Sequence, residues 1–61
     1  MYEIEFIDTE GKRRFLKTNE IGNGLTPEAI AFIVKREYNK QQSPKNRING
    51  VKKIVKIREV K

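Results

Sequence analysis

The chain begins with alternating apolar and polar residues. From Tyr2 to Phe6 the sequence reads YEIEF, so its apolar side chains lie two positions apart. A period of two is typical of a strand with one buried face. The pattern predicts a first strand over residues 2–8, with the glutamates on the opposite face.

A tight turn and a second strand follow. The stretch DTEG, from Asp8 to Gly11, has Asp and Gly where a type I turn followed by a glycine of positive φ requires them. With KRRFLKT as the return strand over 12–18, Phe6 lies opposite Arg14, and the glutamates stay out of the core. The face predicted to be buried carries Tyr2, Ile4, Phe6 and Leu16. The other face pairs Glu3 with Lys17, Glu5 with Phe15 and Ile7 with Arg13.

A helix with a clear N-terminal signal comes next. In LTPEAIAFIVKREYNK, Thr26 occupies the N-cap position and Pro27 the first helical position. The pattern predicts a loop over 19–25 and a helix over 26–41, which must end before Pro44. The apolar stripe predicted to pack on the sheet consists of Ile30, Ile33, Val34 and Tyr38.

The end of the chain is basic and rich in β-branched residues. A polar loop over 43–50 leads through an Asn-Gly pair into VKKIVKIREVK, which predicts a third strand over 51–60. Residues 45–48 would alternatively form a short extra strand, which the preceding proline disfavours. A bulge is expected near Lys52 and Lys53, where the alternation breaks. The predicted inner residues are Val51, Val55 and Ile57, and the predicted outer residues are Lys52, Lys56 and Arg58.

The order of these elements predicts one α+β domain over 1–61. A right-handed crossover from the second strand over the helix places the third strand beside the first. The expected architecture is a small two-layer ββαβ domain. Its three-stranded antiparallel sheet has the order 2-1-3, and one helix packs on one face.

The amino-acid composition limits the catalytic and metal-binding chemistry available to such a domain. The chain has 61 residues, no cysteine and no histidine, so it lacks disulfides, thiolates, the commonest general base and the commonest metal ligand. Glu3 and Glu5 form a carboxylate pair, but a one-helix domain offers no cleft for acid–base catalysis. We expect a non-enzymatic protein with no catalytic residue, no metal site and no cofactor.

Charge and hydropathy bear on its location and partners. Fourteen Lys and Arg against eight Asp and Glu give a formal net charge of +6, which favours acidic partners. No stretch has the length of a membrane span or the apolar core of a signal peptide. A cytoplasmic protein without membrane association is therefore expected.

The uncovered face of the sheet is the leading candidate site. Cations alternate there with an aromatic ring, an arrangement by which open sheets bind nucleic acid through phosphate contacts and base stacking. Either DNA or RNA would satisfy this chemistry. The predicted nucleic-acid-binding residues are Arg13, Phe15, Lys17, Lys52, Lys56 and Arg58. The alternative is a solvated face whose lysines guard a sheet edge.

A second candidate lies on the helix. Phe32 is on the side opposite the apolar stripe, next to Lys35 and Arg36, and could contact a partner. Alternatively, Phe32 packs under one of the two loops. The alternative function is that of a protein-interaction module or inhibitor. Such a module would bind an acidic protein surface or would self-associate through the sheet as a homodimer.

No family is identified from the sequence. GKRRFLKT, leading towards a helix, is similar to the small sheet domains that bind arm-type DNA sites in tyrosine recombinases. The likeness covers one hairpin, and the number of strands before the helix differs. It implies DNA as a ligand class and assigns a role to no residue.

Overall fold

The computed structural model describes residues 1–22 and 24–60. Its order of elements is strand, strand, helix, short 3-10 turn and strand. The elements are β1 (Tyr2–Asp8), β2 (Arg13–Thr18), α1 (Pro27–Lys40), a 3-10 turn (Pro44–Asn46) and β3 (Val51–Glu59). The strands form one antiparallel sheet of order β2-β1-β3, as predicted. No helix within these residues has the length and apolar character needed to cross a membrane.

The first hairpin has the register that the alternation predicted. Phe6 lies opposite Arg14, and Ile4 lies opposite Leu16. The turn closes with a hydrogen bond from the Gly11 N–H to the Asp8 carbonyl at 3.0 Å, and Gly11 has a φ of 84°. This positive φ is the conformation for which the turn needs glycine.

Helix α1 begins at a side-chain cap and buries one face. The Thr26 hydroxyl accepts a hydrogen bond from the Ala29 N–H at 3.1 Å, so one of the unpaired amides of the first turn is satisfied. Val34 and Tyr38 are buried against the sheet, and Ile30 and Ile33 pack at the margin of the core. The predicted stripe is therefore confirmed.

Two loop residues complete the core, and sequence reasoning missed both. Ile21 and Ile48 are 7% and 4% exposed. Asn39 of α1 holds Ile48 in place, because its side chain donates to the Ile48 carbonyl at 3.0 Å and accepts from the Ile48 N–H at 2.8 Å. The predicted loop 43–50 thus contains a 3-10 turn and a buried anchor, and 45–48 form no strand. In the predicted loop 19–25, Asn23 lies outside the described residues.

Strand β3 departs from simple alternation at two places. Its register against β1 shifts once between Glu5 and Phe6 and again between Ile7 and Asp8. Val55 and Lys52 are the extra residues at these two bulges, so each lacks a partner in the register. The bulge expected near Lys52 and Lys53 is confirmed, whereas the one at Val55 was not predicted.

The double bulge corrects the predicted inner face of β3. Ile54, rather than Val55, lies opposite Phe6 and packs against the core. Ile57 lies opposite Ile4 as the alternation implied, yet it is 39% exposed, and Val55 is 42% exposed. A single helix is too narrow to cover a three-stranded sheet, so this end of β3 remains outside the core.

A partly buried ion pair lies at the turn end of the sheet. Asp8 is 1% exposed, and its carboxylate accepts from the Arg14 side chain at 3.0 Å and from the backbone N–H groups of Glu10 and Lys12. Arg14 also donates to the Tyr38 hydroxyl at 3.2 Å, which connects the hairpin to α1. Every hydrogen bond to Asp8 favours the charged carboxylate. The bond from Lys12, then those from Arg14 and Glu10, hold the pKa of Asp8 below its ordinary value although burial opposes them.

This ion pair predicts a loss of stability in acid. Because the pKa of Asp8 is lower in the folded chain than in the unfolded one, its contribution is complete above the unfolded value of about 3.9 and is lost as the pH falls through the folded value. Asp8→Asn should lower the urea midpoint at neutral pH and flatten its decline below about pH 3.9. Urea unfolding followed by circular dichroism across this range measures both effects.

Glu10→Gln is the matched control, since Glu10 is exposed in the same turn. It should leave the midpoint and its pH dependence close to those of the natural chain. An Asp8→Asn variant as stable as the natural chain at neutral pH would contradict the role given to the ion pair.

Candidate functional site

The face of the sheet that α1 leaves uncovered, called the outer face below, is an ordered array of side chains. Residues that are direct partners across antiparallel strands share one face. Each row contains one residue of β2, one of β1 and one of β3. The three rows are Lys17–Glu3–Arg58, Phe15–Glu5–Lys56 and Arg13–Ile7–Lys53.

Charge is unevenly distributed over the outer face. The central strand β1 contributes its two carboxylates, and the flanking strands contribute five cations. Arg13 Nε lies 3.0 Å from Glu5 Oε2, and the Arg58 guanidinium contacts Glu3 Oε1. Lys17, Lys53 and Lys56 form no ion pair with any described carboxylate. The arginines therefore neutralise the glutamates, and the lysines account for the excess positive charge.

Phe15 is the aromatic group of this face. Its side chain is 58% exposed in the middle row, next to Glu5, where the pattern predicted it. A shallow depression of about 150 Å³ opens beside the ring, lined by Glu3, Glu5, Phe15, Lys56 and Arg58. Such a depression, with an exposed ring at its edge and cations beside it, could bind a flat, partly apolar group that is attached to an anion.

The structure brings together five of the six side chains predicted for this site. These are Arg13, Phe15, Lys17, Lys56 and Arg58. Lys52 is the exception, because it is the extra residue of a bulge and has no partner that fixes it on the outer face. Its neighbour Lys53, which was not predicted, takes the place opposite Ile7. The break in alternation at Lys52 and Lys53 was the available signal for this exchange.

The helical candidate is a separate surface. Phe32 is 64% exposed, so the alternative in which it packs under a loop is wrong. The Arg36 guanidinium carbon lies 6.0 Å from the centre of the Phe32 ring, and Lys35 is exposed beside them. Because α1 packs on the inner face of the sheet, these three residues lie apart from the outer face. Phe32, Lys35 and Arg36 are called the helix patch below.

A cluster of side chains that could bind a metal ion would be a further candidate site in the described part of the chain. Within residues 1–22 and 24–60, no group of three or more Asp or Glu side chains is arranged to hold a metal ion. Comparison with protein-family models, curated proteins and solved structures finds no match to this chain. The outer face and the helix patch are therefore interpreted from their own chemistry.

Proposed function

We propose that this protein binds single-stranded nucleic acid on its outer face. The observation that carries the proposal is the exposed Phe15 ring in the middle row of an array whose two flanking strands supply five cations. Aromatic rings on open sheets stack on bases, and Lys and Arg side chains beside them neutralise phosphates. The formal net charge of +6 adds a long-range attraction for a polyanion.

The arrangement of charge supports a particular path for the strand. Arg58, Lys56 and Lys53 follow one another along β3, whereas the carboxylates lie on β1. Phosphates are therefore attracted more strongly to the β3 side than to the centre of the face. A strand whose backbone follows β3 would direct its bases across β1 towards Phe15.

The same arrangement favours a single strand over a duplex. In a duplex the faces of the bases are stacked on one another, so a side-chain ring exposed on a sheet has no free base to stack on. An unpaired base can turn towards Phe15 and enter the depression beside it. DNA and RNA both meet this requirement.

Phe15→Ala tests the proposal directly. It should weaken binding of a short single-stranded oligonucleotide by about 1–3 kcal/mol, the contribution of one base stacked on an aromatic side chain. Fluorescence anisotropy at low salt, with labelled DNA and RNA of mixed sequence, measures the change. Circular dichroism should show an intact fold, because the ring is largely exposed.

Phe32→Ala is the matched control. It removes the same ring from an exposed position on α1 and should leave oligonucleotide binding unchanged. Equal losses in both variants would mean that the effect of Phe15→Ala is not specific to the outer face. Absence of binding by the natural chain at low salt would refute the proposal.

The helix patch favours a second candidate function, the binding of an acidic protein surface. Phe32 is an exposed apolar anchor, and Arg36 lies against its ring with Lys35 alongside. Arg36 also forms a 3.2 Å ion pair with Glu37, which orients its guanidinium. If this patch were the functional surface, Phe32→Ala would abolish binding of an acidic partner protein, and Phe15→Ala would leave that binding unchanged.

A further inference from the structure

We propose that Glu5 gives the outer face a preference for bases that carry an exocyclic amino group, such as cytosine, over uracil and thymine. This inference rests on the proposed function. It gives the Glu5 carboxylate a role in binding, besides the ion pair that it forms with Arg13. Glu3 and Glu5 lie in the centre of the basic array and weaken its attraction for a polyanion.

The position of Glu5 suits contact with the edge of a base. It is the direct partner of Phe15 on one side and of Lys56 on the other. Side chains paired in this way have Cβ atoms about 4.5–5.5 Å apart. A base that enters the depression between Phe15 and Lys56 could stack its face on the Phe15 ring, with its phosphate at the rim near Lys56. The edge of the base farthest from its sugar would then point towards the Glu5 carboxylate, which lies between these two side chains.

The carboxylate is also held ready to accept a hydrogen bond. Arg13 Nε contacts Glu5 Oε2 at 3.0 Å and leaves Oε1 for a ligand. The Glu5 side chain is 22% exposed, so its oxygens are partly shielded from water and yet open to the depression that it lines. A hydrogen bond to a charged acceptor in such a place is stronger than one between neutral groups.

The chemistry of the bases then determines which of them is preferred. An ionised carboxylate accepts hydrogen bonds and cannot donate them. Cytosine presents its N4 amino group to such an acceptor, whereas uracil and thymine present the O4 carbonyl at the same position and are repelled. Cytosine and uracil stack with similar faces, so Phe15 alone would not distinguish them.

Two oligomers that differ at this position test the proposal. Oligodeoxycytidine and oligodeoxyuridine of equal length have the same phosphate charge. We expect the natural chain to bind the cytidine oligomer roughly tenfold more tightly, the scale of one charged contact to a base edge. In Glu5→Gln the ratio should fall towards one, because an amide can also donate to O4, while affinity for the uridine oligomer rises.

Glu3→Gln is the control with the same change of charge. Glu3 lies one row away from Phe15, so its replacement should raise affinity for both oligomers and keep their ratio. Equal binding of the two oligomers by the natural chain would overturn this inference and leave nucleic-acid binding intact. A ratio that Glu5→Gln does not change would also overturn it. Failure to bind either oligomer would refute the proposed function itself, and with it the inference.

Discussion

Replacing Phe6 by alanine is expected to remove a large part of the free energy that stabilises the folded chain. Phe6 is completely buried in the central strand, and its ring meets that of Tyr38 edge-on, with their centres 5.5 Å apart. Removing such a ring costs about 3–5 kcal/mol. At about 0.05–0.15 kcal/mol per residue, a chain of this length has a total stability of roughly 3–9 kcal/mol. Thermal and urea unfolding followed by circular dichroism would measure the loss.

Phe15→Ala provides a matched control for this expectation. The substitution is the same and the neighbouring strand carries it, but the Phe15 ring is 58% exposed on the opposite face of the sheet. Cooperative unfolding should survive with only a small change in midpoint, since exposed substitutions mostly cost less than a kcal/mol. If Phe6→Ala unfolded with the midpoint of the natural chain, the assignment of the buried face would be wrong.

The hairpin could be predicted residue by residue because its rules are local. Alternation with a period of two assigns each side chain of β1 to a face, and the turn length then fixes the partner of each residue. A slip by one position would bury Glu3 and Glu5, so the sequence leaves one register. The observed pairs from Tyr2 opposite Thr18 to Ile7 opposite Arg13 match that register.

The faces of strand β3 could be predicted only in part, because a bulge moves every residue that follows it to the opposite face of the sheet. One bulge at Lys52 places Lys53 on the outer face and Ile54 on the inner face, but it would turn Lys56 inwards. The second bulge at Val55 returns Lys56 and Arg58 to the outer face. The break in alternation at Lys52 and Lys53 indicated the first bulge. Nothing in the pattern indicated the second bulge, so it was not predicted.

The core and the ion pair depend on contacts that the alternation of apolar and polar residues does not reveal. Ile21 and Ile48 lie in polar stretches with no periodicity, so the pattern does not reveal that both are buried. The predicted register placed Arg14 opposite Phe6 on the inner face, but it did not identify a partner for the charge of Arg14. Asp8 supplies that partner from the turn, and Tyr38 adds a hydrogen bond from α1.

The two bulges also bear on the alternative of assembly through a sheet edge. Strand β3 is an edge strand, and an uninterrupted edge would offer a regular row of backbone groups to a second copy. Bulges at Lys52 and Val55 break that row, and lysines next to them add repulsion between copies. These features argue against assembly through this edge, and they leave the outer face as the surface on which we propose that a ligand binds.

The largest effect on binding is expected when Lys17, Lys53 and Lys56 are replaced together by glutamine. These lysines form no ion pair with a described carboxylate, so phosphate contacts would be the main interactions lost. Each phosphate neutralised on a single strand contributes about 0.7 to the slope of log affinity against log salt concentration. Lys53 and Lys56 lie on the path proposed for the backbone along β3, and Lys17 lies across the face on β2. The variant should therefore lower that slope by about one to two, as measured by anisotropy titrations over a range of salt concentrations.

Replacing Lys35, Lys45 and Arg47 by glutamine removes the same total charge from α1 and the connection that follows it. This control should keep the salt dependence of the natural chain nearly unchanged, because general attraction by net charge weakens only slightly while the phosphate contacts persist. Equal losses of slope in the two variants would mean that binding follows net charge and not the outer face. A full slope in the first variant would mean that its lysines touch no phosphate, and that the excess charge of this face serves solubility alone.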